Sequence, residues 1–425
     1  MFSLVNIIRV ILAKAIAFLY TLISVFCGGA GYEPELPECP DDFTPVVRFA
    51  VCSDVHLNGD ENQQEVARFR KLFDTVYEYS ETQEYKNFDA IVMAGDIATS
   101  GRPVEYQMIN KVLSEKVREG TKVLTCCGNH EYIAYRDVDA SEGTRVFERE
   151  MNREDCEHAV INGYHFIISS YDENGRTFVE KSKWIDKQIK AAVKDTGDKP
   201  VFVFQHPAPF ATVYGSISWG DPSLPLVLMK YPQVIDFSGH SHAPINDPRS
   251  IHQEHFTCFG TGTLSYFELD EFDKDGGTIP ENKAEAAQML IVEADKDNRV
   301  RVYPYDILTG SFFPFVWKID VPSDPETFIY TDQKRYSEAQ KPYFKDGAKA
   351  EAKEITDCGA VIEFPQAAAD DMPYVNNYDI ILRRKADGVI VSQKSVWSDY
   401  YIYNMPNTKC VKFDGLKSDT EYTAK

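Results

Sequence analysis

The stretch VVRFAVCSDVH, residues 46–56, decides the fold. Its first seven residues, 46–52, form a strand-like apolar run, and Asp54 and His56 follow directly behind that run. A short apolar run that stops at polar side chains is typical of a buried strand followed by a functional loop. The pattern recurs along the chain, which indicates a site assembled from the ends of several strands.

Four further motifs come after strand-like runs. They are Gly95-Asp96, Gly128-Asn129-His130-Glu131, His206, and Gly239-His240-Ser241-His242. Each motif alone is weak, because Gly-Asp pairs and Asp-Val-His triplets occur in ordinary turns. Apolar stripes at helical spacing, such as residues 66–76, separate the runs. Strands that alternate with helices predict an α/β domain with a layered sheet, in which ligands bind beyond the carboxyl ends of the strands.

The chain has 425 residues and a formal net charge of −21. That length predicts a large domain with a smaller module. An acidic surface repels nucleic-acid backbones and anionic membranes, so no nucleic-acid partner is expected. A phosphate ester would then need a local positive centre, which bound metal ions would supply.

The first 30 residues predict an export signal. Arg9 and Lys14 precede an apolar run over 15–26, and small residues follow it. This order is typical of a secretory signal peptide, with a retained membrane anchor or a buried helix as the alternatives. We therefore expect an exported protein, secreted or held at the cell surface, that meets a membrane only through this segment if it is not cleaved.

The remaining chain divides by composition. Residues 31–45 are predicted as a tether, 46–322 as the catalytic domain and 323–344 as a linker. From residue 345 to 425 the pattern becomes all-β, with a hairpin signal at Asp387-Gly388. The turn before Tyr422 resembles the corner of a fibronectin type III domain, which implies a small Ig/fibronectin-like sandwich whose last strand is missing from this sequence.

The nine cysteines predict no disulfide framework. Their number is odd, their spacing is irregular and no Cys-x-x-Cys pair occurs. Cys52, Cys126, Cys127 and Cys258 lie in or beside apolar runs, so we expect them to be small buried residues.

The motif residues are metal-ligand types. Aspartate, asparagine and histidine together suit Mn, Fe or Zn better than a dedicated Ca or Mg site. Asp54 and His56 are two residues apart, as are His240 and His242, so each pair shares one side of an extended segment. Asp96 lies between them in sequence and is a candidate bridge between two ions.

These motifs resemble those of the calcineurin-like metallophosphoesterase superfamily over about residues 46–266. The resemblance implies a layered α/β/β/α sandwich with two metal ions. Asp54, His56, Asp96 and His242 would hold one ion, and Asp96, Asn129, His206 and His240 the other. It also implies that His130 stabilises the phosphoryl group or protonates the leaving oxygen, during in-line attack by a metal-bridging hydroxide.

Two departures narrow the resemblance. Purple acid phosphatases have a glycine where this chain has His56, and a tyrosine ligand where it has Thr99, so no iron–tyrosinate is expected. The 345–425 module looks too small for the base-stacking domain of the two-domain nucleotidases. The layout is more similar to the class III cyclic-nucleotide phosphodiesterase-like branch, whose members cleave both monoesters and diesters.

The predicted function is therefore hydrolysis of a phosphate mono- or diester, on a small molecule or a phosphorylated surface component. The alternative is a surface binding or adhesion protein with a vestigial phosphoesterase domain. A nuclease is disfavoured, because the chain carries a large negative net charge. Three residues stay open: Tyr214 and Trp219 either stack on substrate or anchor their loop, and Glu131 either orients a neighbour or faces solvent.

Overall fold

The computed structural model describes residues 42–271, 274–280, 282–369 and 375–425. The predicted leader and most of the tether lie outside these residues. No helix in the described ranges is both long and apolar enough to cross a membrane.

Two sheets face each other in the first part of the chain. The first has the order β14-β13-β12-β1-β2-β3, with β15 paired to β13. Its strands are β1 Pro45–Cys52, β2 Ala90–Met93, β3 Lys122–Thr125, β12 Gln288–Asp295, β13 Val300–Asp306, β14 Ser311–Phe312 and β15 Trp317–Ile319. β1, β2 and β3 run parallel, so their carboxyl ends meet at one edge, while β12 extends the sheet antiparallel to β1.

The second sheet has the order β4-β5-β6-β7-β9-β8. Its strands are β4 Cys156–Ile161, β5 Tyr164–Ser169, β6 Val201–Gln205, β7 Val234–Ser238, β8 Ile251–Gln253 and β9 Thr257–Gly260. β5, β6, β7 and β9 are parallel. The sequence did not predict β4, β8 or β9.

The core lies between the two sheets. Phe49 of β1 meets four phenylalanines of the facing sheet edge to face, with ring centroids 4.8–6.1 Å apart: Phe166, Phe202, Phe204 and Phe237. Aromatic side chains bury the largest apolar area per residue, so this contact holds the sandwich together.

Helices lie along both sheets. They are α1 Gln64–Thr82, α2 Pro103–Lys116, α3 Ser141–Met151, α4 Lys181–Thr196, α5 Ser216–Trp219, α6 Pro225–Leu228 and α7 Asp332–Glu338. α1 packs beside α2, and α4 packs on β5 and β6. The predicted mixed α/β class is confirmed.

The region predicted as a linker is ordered here. It contains α7, and the Arg335 guanidinium donates to the carbonyl of Ile251 at 2.6 Å. The backbone N–H groups of Ile329 and Tyr330 both donate to Oε1 of Gln253 at 3.0 Å. This stretch therefore packs against β8.

Two small sheets follow, with orders β16-β17-β20 and β19-β18-β21. Their strands are β16 Glu351–Lys353, β17 Gly359–Pro365, β18 Asn377–Arg384, β19 Ile390–Trp397, β20 Thr408–Asp414 and β21 Tyr422–Ala424. The hairpin predicted at Asp387-Gly388 joins β18 to β19, and Gly388 has φ 71°. The Lys417 N–H donates to the Tyr422 hydroxyl at 2.8 Å. An additional hairpin, β10 Leu269–Glu271 with β11 Lys274–Thr278, lies between β9 and β12 in sequence.

Seven cysteines fall within the described residues, and all seven are free. Cys52, Cys126, Cys127 and Cys258 are buried, as predicted from their apolar neighbours.

Candidate metal centre

Each predicted ligand lies in the loop that follows the carboxyl end of a strand. Asp54 and His56 follow β1, Asp96 follows β2, Asn129 follows β3, His206 follows β6, and His240 and His242 follow β7. The loops stay paired beyond the strands: the Asp54 N–H donates to the Gly95 carbonyl at 3.1 Å, and the Gly239 N–H to the His206 carbonyl at 2.9 Å. The sheet edges therefore bring residues that are far apart in sequence to one place.

The backbone turns sharply at these positions. Five predicted ligands have positive φ in the left-handed region, with values of 49–71°: Asp54, His56, Asp96, His240 and His242. Such conformations cost free energy in non-glycine residues and cluster at functional sites, where the surrounding structure holds them in place. The turns point successive side chains from one loop into the same space.

Two glycines allow the loops to approach closely. A Cβ at Gly128 would lie 2.2 Å from Oδ1 of Asp96, and one at Gly239 would lie 2.6 Å from Oδ2 of Asp54. Any other residue at either position would therefore displace a carboxylate of the site.

The side chains meet in three overlapping groups, within each of which the candidate ligand atoms lie within 4.8 Å of one another. The groups are Asp54–His56–His242, His56–Asp96–His130 and Asp96–His206–His240. Asp96 and His56 each belong to two of the groups, so the three groups form one continuous cluster.

Both carboxylates are oriented by their neighbours. One oxygen of Asp96, Oδ1, accepts from the His130 N–H at 2.8 Å, and Oδ2 lies 3.0 Å from Nε2 of His206. Likewise Oδ2 of Asp54 accepts from the His240 N–H at 3.1 Å, and Oδ1 lies 3.0 Å from Nε2 of His242. Backbone donors thus occupy one oxygen of each carboxylate and leave the other facing histidine nitrogens.

Three histidines have their tautomer fixed by backbone carbonyls. Nδ1 of His206 lies 2.9 Å from the Ala94 carbonyl, Nδ1 of His242 lies 2.8 Å from that of Tyr266, and Nδ1 of His130 lies 2.8 Å from that of Thr99. A carbonyl can only accept, so each Nδ1 donates and each neutral ring turns the lone pair of Nε2 toward the site. Metal-binding histidines are held in this way.

The rings of His56 and His242 approach each other closely through their Nε2 atoms. Their Nε2 atoms are 3.3 Å apart, and both rings are buried. Because Nδ1 of His242 already carries the proton, two facing lone pairs would repel unless a proton or a cation lay near both. A metal ion bound beside these atoms would satisfy both nitrogens.

Buried atoms without partners support the same conclusion. Among the described residues, twelve buried side-chain atoms lack a hydrogen-bond partner, and three of them are Oδ1 of Asn129, Oδ1 of Asp54 and Nε2 of His206. Buried polar atoms without hydrogen bonds are costly, and such orphans call for an ion or a water. These three belong to predicted ligands. Nε2 of His206 and Oδ1 of Asp54 each lie 3.0 Å from an atom across the site, but a hydrogen bond there needs a proton on the histidine Nε2, which the neutral rings do not carry. With neutral histidines the donor set therefore fits two metal ions.

The electrostatics favour positive charge between the carboxylates. Although burial opposes it, the neighbouring His206 holds the pKa of Asp96 well below its usual range. Burial tends to lower the pKa of His206, but Asp96 and Asp54 outweigh it and raise that pKa to about 9. Burial lowers the pKa of His56 and of His240 to about 3. Both rings are therefore neutral at neutral pH, which is the form that can bind a metal ion.

Glu131 is the residue whose role the sequence left open. It is fully buried, which rules out the solvent-facing alternative. Its carboxyl group accepts from the N–H groups of Asp96 at 3.1 Å, Ala98 at 2.8 Å and Gly128 at 2.6 Å. Burial, reinforced by Asp96, raises the pKa of Glu131 to about 8. Glu131 therefore joins the turns after β2 and β3. Its place in Gly-Asn-His-Glu was the available signal.

His130 lies at the open side of the site. Its side chain is 26% exposed, and Nε2 is 3.9 Å from Oδ2 of Asp96. The ring meets His56 edge to face, with centroids 4.4 Å apart. With Nδ1 held by the Thr99 carbonyl, Nε2 is the atom available to a ligand.

The two aromatic candidates have different positions. Tyr214 is buried, its hydroxyl accepts from the Asp270 N–H at 2.7 Å, and the Arg249 guanidinium lies 3.6 Å from its ring centre. Tyr214 therefore anchors its loop, and stacking on substrate was the wrong alternative for it. Trp219 lies beside the site, with its ring centroid 5.6 Å from that of His240.

The geometry has a counterpart among known families. Residues 47–244 match the family model of calcineurin-like phosphoesterases. The matched region, just under half of the chain, contains every predicted ligand and His130. The match agrees with the superfamily resemblance expected from the motifs, and the clustered aspartates and histidines suggest a dinuclear metal site.

Solved structures give distant similarities. A purple acid phosphatase from yellow lupin (Lupinus luteus) seeds has 13% identity and a TM-score of 0.46, over 69% of this chain and 58% of that one. A hypothetical protein from Pyrococcus horikoshii OT3 has 10% identity and a TM-score of 0.28, over 68% and 93%. No curated protein sequence matches the chain.

Proposed function

We propose that this protein is a metal-dependent phosphoric ester hydrolase acting on a phosphate mono- or diester. One observation carries the proposal: two separate groups of three candidate ligand atoms, one around Asp54 and one around Asp96, lie next to each other in a region that matches calcineurin-like phosphoesterases. A single structural ion would need only one such group.

Asp54, His56, Asp96 and His242 would hold one ion, and Asp96, Asn129, His206 and His240 the other. The mixed nitrogen and oxygen donors suit Mn, Fe or Zn. When bound, the ions would supply Lewis-acid polarisation of the phosphoryl group and activation of the attacking water.

His130 would supply the proton. The carbonyl of Thr99 accepts from its Nδ1, which leaves Nε2 as the atom that can face an entering ester. The protonated ring would then donate from Nε2 to the leaving oxygen, while its 26% exposed side chain stays in reach of an entering ester. Asp96 holds the His130 backbone in place through Oδ1.

The remaining assignments are proposals as well. The 345–425 module is proposed to be fibronectin-like, which the contact between Lys417 and Tyr422 supports. The cyclic-nucleotide phosphodiesterase-like branch rests on the motif layout, with Thr99 in place of a tyrosine ligand. Export rests on the composition of the first 30 residues.

The test uses the full chain, stripped with a chelator and reloaded with Mn²⁺. We expect hydrolysis of 4-nitrophenyl phosphate or its bis-aryl diester, and loss of hydrolysis when chelator is added. His130→Ala should lower kcat by about 10²–10⁴-fold while the bound metal is retained. Asp96→Asn should lose hydrolysis together with at least one bound ion. His255, an exposed histidine outside the motifs, provides the control: His255→Ala should behave like the wild type.

Metal-loaded protein that hydrolyses no phosphate ester would contradict the proposal. Protein that carries almost no metal would instead favour the adhesion alternative. Turnover of DNA or RNA without turnover of small esters would favour a nuclease.

A further inference from the structure

The loop between β6 and β7, which follows His206 and precedes His240, exposes large apolar side chains. Phe210, Ile217 and Trp219 are 43%, 65% and 42% exposed. Exposed apolar groups scattered singly need no explanation, but a concentration at the edge of a polar site indicates a binding surface.

Trp219 is the member of this group that reaches the site. Its ring stands edge-on to His240, with centroids 5.6 Å apart and an interplanar angle of 81°. Asn129, His130 and His240 keep part of their surface accessible, whereas Asp54, Asp96 and His206 are buried. The accessible members mark the mouth of the site, and Trp219 lies at that mouth.

The backbone around Trp219 is held in place. The Phe210 N–H donates to the Asp221 carbonyl at 3.1 Å, and the Asp221 N–H donates to that of Ala208 at 2.8 Å. Gly215, with φ +80°, has no room for a side chain, because a Cβ there would lie 2.6 Å from that of Ser241. A fixed loop presents its aromatic ring without an ordering cost on binding.

Tyr266 lies at the other end of the ligand cluster. Its ring stacks on His56 at 5.8 Å between centroids, and its centroid is 4.2 Å from that of His242. Trp219 touches a proposed ligand of one ion, and Tyr266 touches two of the other. Tyr266 is only half-buried, so both aromatic rings are partly open to an entering molecule.

We propose that Trp219 and Tyr266 are specificity residues that contact the organic leaving group, and that the preferred substrates are phosphate esters with a flat, uncharged aromatic leaving group. The inference rests on the proposed function and deepens it. Aromatic faces and edges attract other aromatic rings beyond the effect of buried area, and stacking tolerates many ring types. An alkyl leaving group would gain only the free energy of burying its apolar area.

Equilibrium binding of two phosphonates tests this without turnover. Phenylphosphonate and ethylphosphonate share the phosphoryl group and differ in the ring, and both can be titrated calorimetrically into the Mn²⁺-loaded full chain. We expect the wild type to bind phenylphosphonate about tenfold more tightly. Trp219→Ala should remove most of that preference and leave ethylphosphonate affinity within about twofold.

Two further variants sharpen the result. Trp219→Phe should restore much of the preference, since it restores an aromatic ring. Leu226→Ala is the matched control, because Leu226 is 67% exposed on α6 of the same loop, and that helix packs on α4. It should leave both affinities unchanged.

Equal affinities for the two phosphonates in the wild type would overturn the inference, as would a preference that survives in Trp219→Ala or a failure of both to bind. The proposed function fails separately, through absence of metal-dependent hydrolysis of phenyl and alkyl phosphates alike. Hydrolysis that proceeds without a phenyl preference would therefore sink only the assignment of Trp219 and Tyr266.

Discussion

Nδ1 of His242 donates a hydrogen bond to the backbone carbonyl of Tyr266 at 2.8 Å. This bond connects the last predicted metal ligand to a loop that another element fixes. The Arg68 guanidinium, from α1, donates to the carbonyls of Leu264 at 3.1 Å and Ser265 at 2.9 Å. The orientation of His242 therefore depends on a residue of α1 that lies far from His242 in sequence.

Arg68→Ala should weaken both the fold and metal binding. Arg68 is buried, and its loss leaves several carbonyls without a donor, so we expect the free energy of unfolding to fall by about 2–4 kcal/mol. Metal affinity should fall by about 10–100-fold, because the support of His242 is lost. Urea unfolding and metal titration measure the two effects.

Arg70, two residues away on the same helix, is the control. Its ion pairs with Glu61 and Glu115 are partly exposed. Arg70→Ala should therefore cost less than about 1 kcal/mol and leave metal affinity unchanged. Equal effects of the two variants would mean that the carbonyl contacts of Arg68 do not support His242.

Glu131→Ala should damage the centre without removing a ligand. Three buried N–H groups, those of Asp96, Ala98 and Gly128, would lose their acceptor. We expect the metal-free protein to lose about 2–4 kcal/mol of stability in urea unfolding. Glu119→Ala, at an exposed position, should change it by less than about 0.5 kcal/mol. An unfolding free energy of Glu131→Ala like that of Glu119→Ala would contradict the role given to Glu131.

Asp236 should make stability depend on pH. Burial raises its pKa from 3.8 to about 7 in the folded protein, against hydrogen bonds from Gln205 and Cys258. Between pH 4 and 7 the native state thus holds a proton that the unfolded chain releases, and stability falls as pH rises through this window. Asp236→Asn lacks this loss, so its stability relative to wild type should rise by about 2–3 kcal/mol from pH 5 to pH 8. A difference that stays constant with pH, in metal-free urea unfolding, would refute the assignment.

Tyr401 connects the C-terminal sheets to the region of the metal centre. Its side chain is 2% exposed, its ring lies 5.4 Å from Phe267, and its hydroxyl donates to Oδ1 of Asn282 at 2.6 Å. Tyr401→Ala should lower the free energy of unfolding by about 3–5 kcal/mol. Tyr336→Ala, at 90% exposure, should have little effect. Similar midpoints for both variants would show that this contact contributes nothing to stability.

The sequence predicted the strands that precede ligand-type residues better than it predicted the rest of the fold. Strands β1, β2, β6 and β7 were visible because each apolar run ends at a ligand-type residue. β9 was not predicted, because the strand has only four residues, 257–260, and ends at a glycine. Its burial comes from pairing with β7, a contact that periodicity does not show.

The details of the site also depended on tertiary structure. In the sequence, Glu131 looks like a polar turn residue. Only the structure shows that the turns after β2 and β3 surround it. The positive φ angles of Asp54 and Asp96 have no glycine to signal them, because the surrounding hydrogen bonds impose them. Trp219 and Tyr214 looked equivalent in sequence, and only packing separated an exposed ring from an anchored one.

The metal content of the purified full chain tests the central claim most directly. Protein loaded with Mn²⁺, desalted and measured by elemental analysis should carry two ions per chain. Asp96→Asn should lose at least one of them, since Asp96 is the proposed ligand that the two ions share and it belongs to two of the three groups of candidate ligand atoms. A wild type that binds no metal above background, or an Asp96→Asn variant that still carries two ions, would contradict the account.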